Sequence, residues 1–281
     1  TQLINEAYLT IIKVNDSKKI EPYLMDEMYS YGERLSTLII SHYLKLFIPE
    51  RNPQYFDVRK VLITDDQFGM AIPQIDQIKE SYIRNKSEFK NTLIITQGFI
   101  GCTPKGETTT LGREGSDYSG TLLAEMINAK EVQIWTDVPG VATIDPNELD
   151  SAIFLSSISY EEAACMAENG AKILFPKTLW PAKRNGIAVY VKSSHEPNLD
   201  GTKIFKENNS DFRVVGLAVE NNVLTVIGNK LINIEDEIKR FVSEFGAEQI
   251  EMNVHFLKYK FFNKSNLHLA LYSLHSYLFS E

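Results

Sequence analysis

The stretch TTTLGREGSD, residues 108–117, is the most informative part of the sequence for the fold and for a functional site. It joins small hydroxyl residues, two glycines, one arginine and one carboxylate, and a segment of helical periodicity follows at 118–129. A loop that leads into a helix presents backbone N–H groups, and an arginine beside it adds a planar fork suited to carboxylates. The stretch therefore predicts a binding site for a small anion at the start of a helix.

Strand-like segments lie on both sides of this predicted helix. Short apolar runs, typical of buried strands in a parallel sheet, occur at residues 61–64, 93–97, 132–136 and 187–192. Helical patterns occur at 25–47, 118–129 and 160–169, the last followed by Gly170 as a stop signal. Because strands and helices alternate, we predict an α/β fold with helices on both faces of a sheet.

The longest predicted helix covers residues 25–47, and Glu33 lies near the start of its apolar run. Apolar residues recur there at helical spacing, which predicts one face packed against the core. The residues of that face are Leu35, Leu38, Ile39, Tyr43 and Leu46.

Composition changes near residues 196–210, where Pro, Gly, Asp and Asn gather as in a linker. Beyond it the patterns predict strands at 214–219 and 223–227, a helix at 234–245, two strands within 249–262 and a helix at 267–279. This β-β-α-β-β-α order suits a small ferredoxin-like α+β module. We therefore expect one domain at residues 1–207 and a smaller module at 208–281.

The composition of the chain excludes several classes of protein. Its 281 residues carry a net charge of −8, which argues against nucleic acid or an anionic membrane surface as the main partner. Cys102 and Cys165 are far apart, and neither they nor the five histidines show metal-ligand spacing, so we expect no metal site. No apolar run approaches the length of a membrane span. These features predict a cytoplasmic protein.

The glycines alone do not identify a ligand. No G-x-G-x-x-G follows a strand and no P-loop sequence occurs, so dinucleotide and P-loop interpretations lose their main support. The structural alternatives for the opening stretch are that Arg113 is a solvated loop arginine, that it forms a salt bridge with Glu114, and that Asp117 acts only as a helix N-cap. The whole segment, together with WTDVPG at 135–140, favours a functional site.

Several motifs, in order along the chain, resemble those of the aspartokinases within the amino-acid kinase family. They are QGFIG at 97–101, TTTLGREGSDYSG at 108–120, WTDVPG at 135–140, Asp-Pro at 145–146 and GAKIL at 170–174. SYGERLS around Glu33 and the closing LHSYLF belong to the same resemblance. It implies a three-layer αβα amino-acid kinase fold followed by a ferredoxin-like ACT regulatory module.

The resemblance also implies an activity, namely ATP-dependent phosphorylation of the β-carboxylate of L-aspartate to 4-phospho-L-aspartate. This is the first step of lysine, threonine and methionine biosynthesis. Arg113 would bind the α-carboxylate of the substrate and Glu33 its ammonium group. Ser116 would help to hold the substrate, and Asp117 would be catalytic, orienting groups around the transferred phosphoryl.

For the nucleotide, the resemblance implies that Thr136 and Asp137 contact ATP and that Mg²⁺ arrives with it. The residues implied to line the pocket are Ala142, Asp145, Pro146, Asn147, Lys172 and Ile173. An amino-acid effector, lysine or threonine, would bind the ACT region, and we expect a homodimer or a higher homo-oligomer.

The sequence departs from the aspartokinase pattern in several places. An opening Lys-Phe-Gly-Gly-Thr segment is not in the sequence, so we expect the catalytic domain to lack its N-terminal segment. Aspartokinases carry a pair of ACT modules, and roughly seventy residues suffice for only about one, so we expect the ACT region to be incomplete. Glu114 stands where glycine is more common, and Ala142 and Asn147 stand where tyrosine and arginine are common. Two alternatives stay open: a non-catalytic amino-acid-binding regulator, and a related amino-acid kinase with another acceptor.

Overall fold

The computed structural model describes residues 2–17, 21–90, 92–171, 174, 176–206 and 213–279. The chain divides into two compact units, which we call the N-terminal unit, Thr1–Ala129, and the C-terminal unit, Lys130–Glu281. The domain boundary expected between residues 207 and 208 lies outside the described residues, so that division stays a prediction. The α/β class is confirmed.

The N-terminal unit combines helices with short strands. Its elements are α1 (Gln2–Asp16), α2 (Pro22–Phe47), β1 (Pro53–Phe56), α3 (Ile75–Asn85), β2 (Leu93–Thr96), β3 (Ile100–Cys102), β4 (Thr108–Thr110) and α4 (Gly115–Ile127). Strands β1 and β2 pair in parallel, and β3 and β4 form an antiparallel pair. A core that includes Val58, Leu62, Ile100 and Leu122 lies between these elements.

The predicted strand at residues 61–64 is wrong. A short 3₁₀ helix, Val58–Lys60, comes before it, and the N–H groups of Val61 and Leu62 both donate to the carbonyl of Val58. Only isolated bridges follow, at Ile63 and Thr64. Because the turn uses the N–H groups that a strand would need, the apolar run is buried without joining a sheet.

The predicted apolar face of α2 is also wrong. Ile39, Tyr43 and Leu46 are 67%, 55% and 80% exposed. The helix instead buries a largely polar set of side chains, made of Leu24, Asp26, Ser30, Tyr31, Arg34, Thr37 and Ser41. The orientation of α2 is set by hydrogen bonds on this polar face, since a buried polar group must find a partner.

The first part of the C-terminal unit is a mixed sheet with two helices. Its elements are β5 (Glu131–Thr136), β6 (Ser157–Ser159), α5 (Tyr160–Glu168), α6 (Pro176–Asn185), β7 (Ala188–Ser193) and β8 (Thr202–Phe205). The strand order is β5-β7-β8-β6, with β5 parallel to β7, β6 parallel to β8, and β7 antiparallel to β8. Strands β5 and β7 and helix α5 confirm the predicted elements.

The rest of the C-terminal unit is a four-stranded antiparallel sheet with two helices, which we call the C-terminal module, residues 213–279. Its elements are β9 (Arg213–Glu220), β10 (Val223–Asn229), α7 (Glu235–Ser243), β11 (Ala247–Met252), β12 (Phe256–Phe261) and α8 (Lys264–Phe279). The strand order is β11-β12-β10-β9. The predicted β-β-α-β-β-α order is confirmed.

Candidate functional site

The start of α4 is packed directly against the loop of residues 97–101. A Cβ atom on Gly98 would lie 2.9 Å from the Cα of Ser116, and one on Gly115 would lie 2.7 Å from Cδ2 of Phe99 and 3.2 Å from its Cα. The backbone contact at Gly98 is shorter than real Cβ atoms show, and the contacts at Gly115 require the ring and backbone of Phe99 to shift, so glycine is favoured at both positions. The two motifs QGFIG and GREGSD therefore form one structure.

Phe99 fixes the loop to the helix. It adopts a left-handed backbone conformation with φ 68°, its N–H donates to Ser119 Oγ at 2.8 Å, and its carbonyl accepts from Leu111 N at 2.8 Å. Ser119 Oγ donates in turn to the carbonyl of Gly115 at 2.7 Å. A non-glycine residue persists in this conformation only where its surroundings determine it, and such residues cluster at binding sites.

Arg113 projects into solvent beside the first turn of α4. Its side chain is 84% exposed, and Nε lies 3.9 Å from a carboxylate oxygen of Glu114. An exposed pair at that distance contributes little to stability. The guanidinium is therefore available for a ligand. The salt-bridge alternative is therefore weak, whereas the exposure fits both a solvated loop arginine and a ligand-binding one.

Ser116 and Asp117 lie in the first turn of α4, where unpaired helix N–H groups favour negative charge. Asp117 is the third residue of the helix, and Glu114, in a left-handed conformation, occupies the N-cap position. The N-cap alternative for Asp117 is thus wrong. Burial raises the pKa of the Asp117 carboxyl above its usual range, and the negative charge of Glu114 raises it further.

Glu33 lies on α2 and is half-buried. Among the residues that the structure describes, its carboxylate has no hydrogen-bond or ion-pair partner. Asp26, two helical turns earlier, accepts from Gly69 N at 2.9 Å and Thr110 N at 2.8 Å. A Cβ atom on Gly112 would lie 3.1 Å from the carbonyl oxygen of Gly69, so Asp26 holds α2 against the segment on which the Arg113 loop rests.

The residues predicted to bind the nucleotide belong to the C-terminal unit. Thr136 ends β5, where its Cα partner across the parallel pair is Ser193 at the end of β7. The Thr136 carbonyl accepts from both N and Oγ of Ser194, at 2.7 and 2.8 Å, and Thr136 Oγ1 donates to Asp137 at 3.1 Å. Polar groups thus collect at the carboxyl ends of two parallel strands, the usual position of ligands in α/β sheets.

The loop of residues 138–156 carries the next predicted set. Pro146 and Asn147 are exposed and Asp145 is half-buried, whereas Ala142 is buried and bridges to Phe154. One carboxylate oxygen of Asp145 accepts from Asn147 N at 2.9 Å and from its side-chain amide at 2.8 Å. Lys172 and Ile173 lie outside the described residues.

The structure thus brings Arg113, Ser116 and Asp117 together at the start of α4 and places Glu33 in the same unit. Sequence reasoning missed the residues that support this arrangement, Phe99 and Ser119. The phenylalanine between two glycines in GFIG was the available signal. Within the described ranges, no group of three or more His, Cys, Asp or Glu residues could hold a metal ion. No described helix is long and apolar enough to cross a membrane.

Two curated proteins are similar to this chain in sequence. The chain is 44% identical over 223 residues to the lysine-sensitive aspartokinase 3 of Escherichia coli K12, covering 78% of this chain and 49% of the relative. It is 40% identical over 156 residues to an aspartokinase of Chlamydia pneumoniae, covering 56% and 35%. The chain therefore spans about half the length, or less, of these curated relatives.

Solved structures extend the likeness to the fold. A crystal structure of E. coli aspartokinase III with lysine and aspartate (T-state) matches 99% of this chain and 80% of its own chain, with a TM-score of 0.81 and 28% identity. A second, with aspartate and ADP (R-state), matches 99% and 64%, with a TM-score of 0.71 and 33% identity. The family model of the amino acid kinases matches residues 3–193, more than half of the chain. This chain belongs to the amino acid kinase family.

Proposed function

We propose that this chain is an aspartate kinase, which transfers a phosphoryl group from ATP to the β-carboxylate of L-aspartate and forms 4-phospho-L-aspartate. The observation that carries the proposal is the guanidinium of Arg113, which is 84% exposed just before α4. The close contacts of Gly98 and Gly115 hold the start of this helix against the 97–101 loop. The relatives named above are aspartokinases, and one was solved with aspartate and ADP. The net charge and the free cysteines support a cytoplasmic location.

The proposed roles follow from the charges of an α-amino acid. Arg113 binds the α-carboxylate bidentately, and the unpartnered carboxylate of Glu33 receives the ammonium group. Ser116 donates a hydrogen bond to the substrate, and Asp117 orients groups around the transferred phosphoryl. The β-carboxylate of free aspartate has an ordinary pKa near 3.9, so it is ionised at pH 7 and attacks without a general base.

The proposed nucleotide site begins at Thr136 and Asp137 and continues along Ala142, Asp145, Pro146, Asn147, Lys172 and Ile173. The exposed hydroxyl and carboxylate at the carboxyl end of β5 fit the polar groups of a nucleotide. Mg²⁺, which neutralises phosphate charge during transfer, would arrive with ATP.

A charge-preserving substitution tests the substrate role. Arg113→Lys keeps the charge but loses the planar fork, so the apparent affinity for aspartate should fall about ten- to a hundredfold. The affinity for an ATP analogue should not change. Arg51→Lys, at an exposed arginine of the same unit, is the matched control. Calorimetry measures aspartate binding, and a coupled ADP-release assay measures turnover.

The possible outcomes separate the proposal from its alternatives. Aspartate binding by the wild-type chain without turnover would contradict a kinase and support an amino-acid-binding regulator. Turnover with another amino acid but not with aspartate would identify a different acceptor. An unchanged aspartate affinity in Arg113→Lys would refute the role of Arg113.

Regulation is the second part of the proposal. We assign residues 1–207 to a catalytic domain and 208–281 to an ACT-type regulatory module that binds lysine or threonine and joins two chains in a homodimer. Support comes from the antiparallel β-β-α-β-β-α architecture of the C-terminal module and from the E. coli relative solved with lysine. Light scattering and inhibition by each amino acid test it. A monomer that neither amino acid inhibits would contradict it.

A further inference from the structure

His275, on the last helix of the C-terminal module, is a buried histidine that the proposed chemistry does not use. It is 2% exposed, and its ring lies tilted by 42° against that of Phe279, with centroids 4.9 Å apart. Nε2 lies 2.9 Å from Thr143 Oγ1, and Nδ1 lies 3.5 Å from Ser151 Oγ. Each ring nitrogen therefore faces a hydroxyl group of the 138–156 loop.

The two hydroxyls stand at the base of that loop, on its outgoing and returning arms. Thr143 N donates to the Ile153 carbonyl at 2.9 Å, and Ile153 N donates to Thr143 Oγ1 at 3.1 Å. Ala142 and Phe154 form the neighbouring bridge. The residues between the arms include Asp145, Pro146 and Asn147. The imidazole thus closes the base of the segment that carries them.

The same threonine is also fixed to the sheet of the module. Its carbonyl accepts from Leu217 N at 2.6 Å, and a Cβ atom on Gly216 would lie 2.8 Å from that oxygen. The adjacent Ile144 is 3% exposed and belongs to the module's own hydrophobic core. The 138–156 loop is therefore attached to the C-terminal module through Thr143 and Ile144, and Ile144 directly precedes Asp145 in the sequence.

Histidine suits this position better than an apolar ring of similar size. Its two nitrogens meet two hydroxyl groups, of which that of Thr143 is buried and also accepts from Ile153 N, whereas Ser151 is exposed, and an apolar ring would leave the Thr143 hydroxyl one partner short. Burial also lowers the pKa of His275, which favours the neutral ring at physiological pH.

We propose that His275 is a positioning residue for nucleotide binding: by closing the base of the 138–156 loop, it makes the C-terminal module a determinant of nucleotide affinity. The inference rests on the proposed nucleotide role of residues 145–147. A change in the C-terminal module would then alter the nucleotide site through Thr143, whose carbonyl accepts the hydrogen bond from Leu217 in β9.

The test uses the full chain, four single variants and the double variant of His275→Phe with Thr143→Val. His275→Phe removes both hydrogen bonds of the imidazole. Thr143→Val removes the stronger of these together with the bond from Ile153 N, and Thr143→Ser keeps the hydroxyl. His268→Gln, at an exposed histidine of the same helix, is the matched control. Amide hydrogen exchange of residues 144–150 is measured without ligand, and calorimetry measures binding of a non-hydrolysable ATP analogue with Mg²⁺ and, separately, of aspartate.

His275→Phe and Thr143→Val should each speed exchange in residues 144–150 and weaken the ATP analogue about three- to tenfold, the value of one neutral hydrogen bond. Aspartate affinity should not change, and Thr143→Ser and His268→Gln should match the wild type. The double variant should lose less than the sum of its single variants, because both remove the same bond. If His275→Phe does not fold, Thr143→Val against Thr143→Ser tests the Thr143 hydroxyl, including its bond from Ile153 N.

Two results would overturn the inference: one would leave the proposed nucleotide site intact, and the other would refute that site as well. Faster exchange with unchanged affinity for the ATP analogue would refute the positioning role alone. A wild-type chain that does not bind the analogue would refute both this role and the proposed nucleotide site.

Discussion

Replacing Gly115 with alanine should destabilise α4, whereas replacing Gly120, five residues further along the same helix, should stabilise it. A Cβ atom on Gly115 meets Phe99 at 2.7 Å and Leu111 Cβ at 3.3 Å, but nothing lies within 4 Å of one on Gly120. The two substitutions are chemically identical and have similar effects on the unfolded chain. The comparison therefore isolates the contact between α4 and the 97–101 loop.

The magnitude follows from how firmly Phe99 is held. Its ring could rotate away, but its Cα, 3.2 Å from the added methyl, is fixed by hydrogen bonds to Ser119 and Leu111. Overpacking of this kind costs about 1–3 kcal/mol, while Gly→Ala at an open helical position gains about 0.5–1 kcal/mol. The two variants should differ by roughly 1.5–4 kcal/mol in the free energy of unfolding of α4.

Amide hydrogen exchange of residues 116–127, followed by mass spectrometry, measures this difference within the N-terminal unit. A gap of that size corresponds to a ratio of exchange rates of roughly ten to a thousand. Equal protection of α4 in the two variants would refute the close packing of Gly115 against Phe99. It would also remove the structural basis for the placement of Arg113.

Three further predictions concern other charged or titrating groups. Glu114→Gln should lower the pKa of Asp117, because it removes a neighbouring negative charge; an unchanged value in an NMR titration would contradict the proximity of the two side chains. Because burial lowers the pKa of His275, the unfolded chain takes up a proton first as the pH falls, so stability should decrease below about pH 6.5. Urea unfolding measures the free energy of unfolding at pH 7.5 and at pH 5.5, and the decrease between the two should be smaller in His275→Phe than in the wild type. An equal decrease would exclude a contribution of His275. Asp26→Ala should cost about 2–4 kcal/mol, since the buried N–H group of Thr110 and the part-buried one of Gly69 lose a charged acceptor; a loss below 1 kcal/mol, about the value of one neutral bond, would refute that role.

Local patterns predicted most of the helices and strands. The module's helix expected at 234–245 is Glu235–Ser243, and the strand expected at 214–219 is Arg213–Glu220. Periodicity was sufficient there because one face of each element packs on a single apolar core. It failed for α2, whose buried face is chosen by hydrogen bonds to residues far away in the sequence.

In the candidate site, too, features set by neighbouring residues could be predicted from the sequence, and contacts between distant residues could not. The position of Arg113 before a helix could be read from its neighbours, since glycines and the following periodicity are local signals. The contact of Gly98 with Ser116 could not, because it joins two segments across a hairpin. The Thr143 partner of His275 lies 132 residues earlier in the chain, so the residues next to His275 in the sequence could not indicate this contact.

The polar anchor of α2 has a consequence for the order of events during synthesis. The donors to Asp26 lie 43 and 84 residues later in the sequence. Contacts of such long range close late, because the entropy of ordering the intervening chain comes before any gain from the contact. While the ribosome is still making residues 69–110, the Asp26 carboxylate of α2 lacks the backbone donors that fix the helix in the folded unit. The polar face of α2 therefore gains its partners only after Thr110 has been made, and a pause in translation before that codon would delay the docking of the helix.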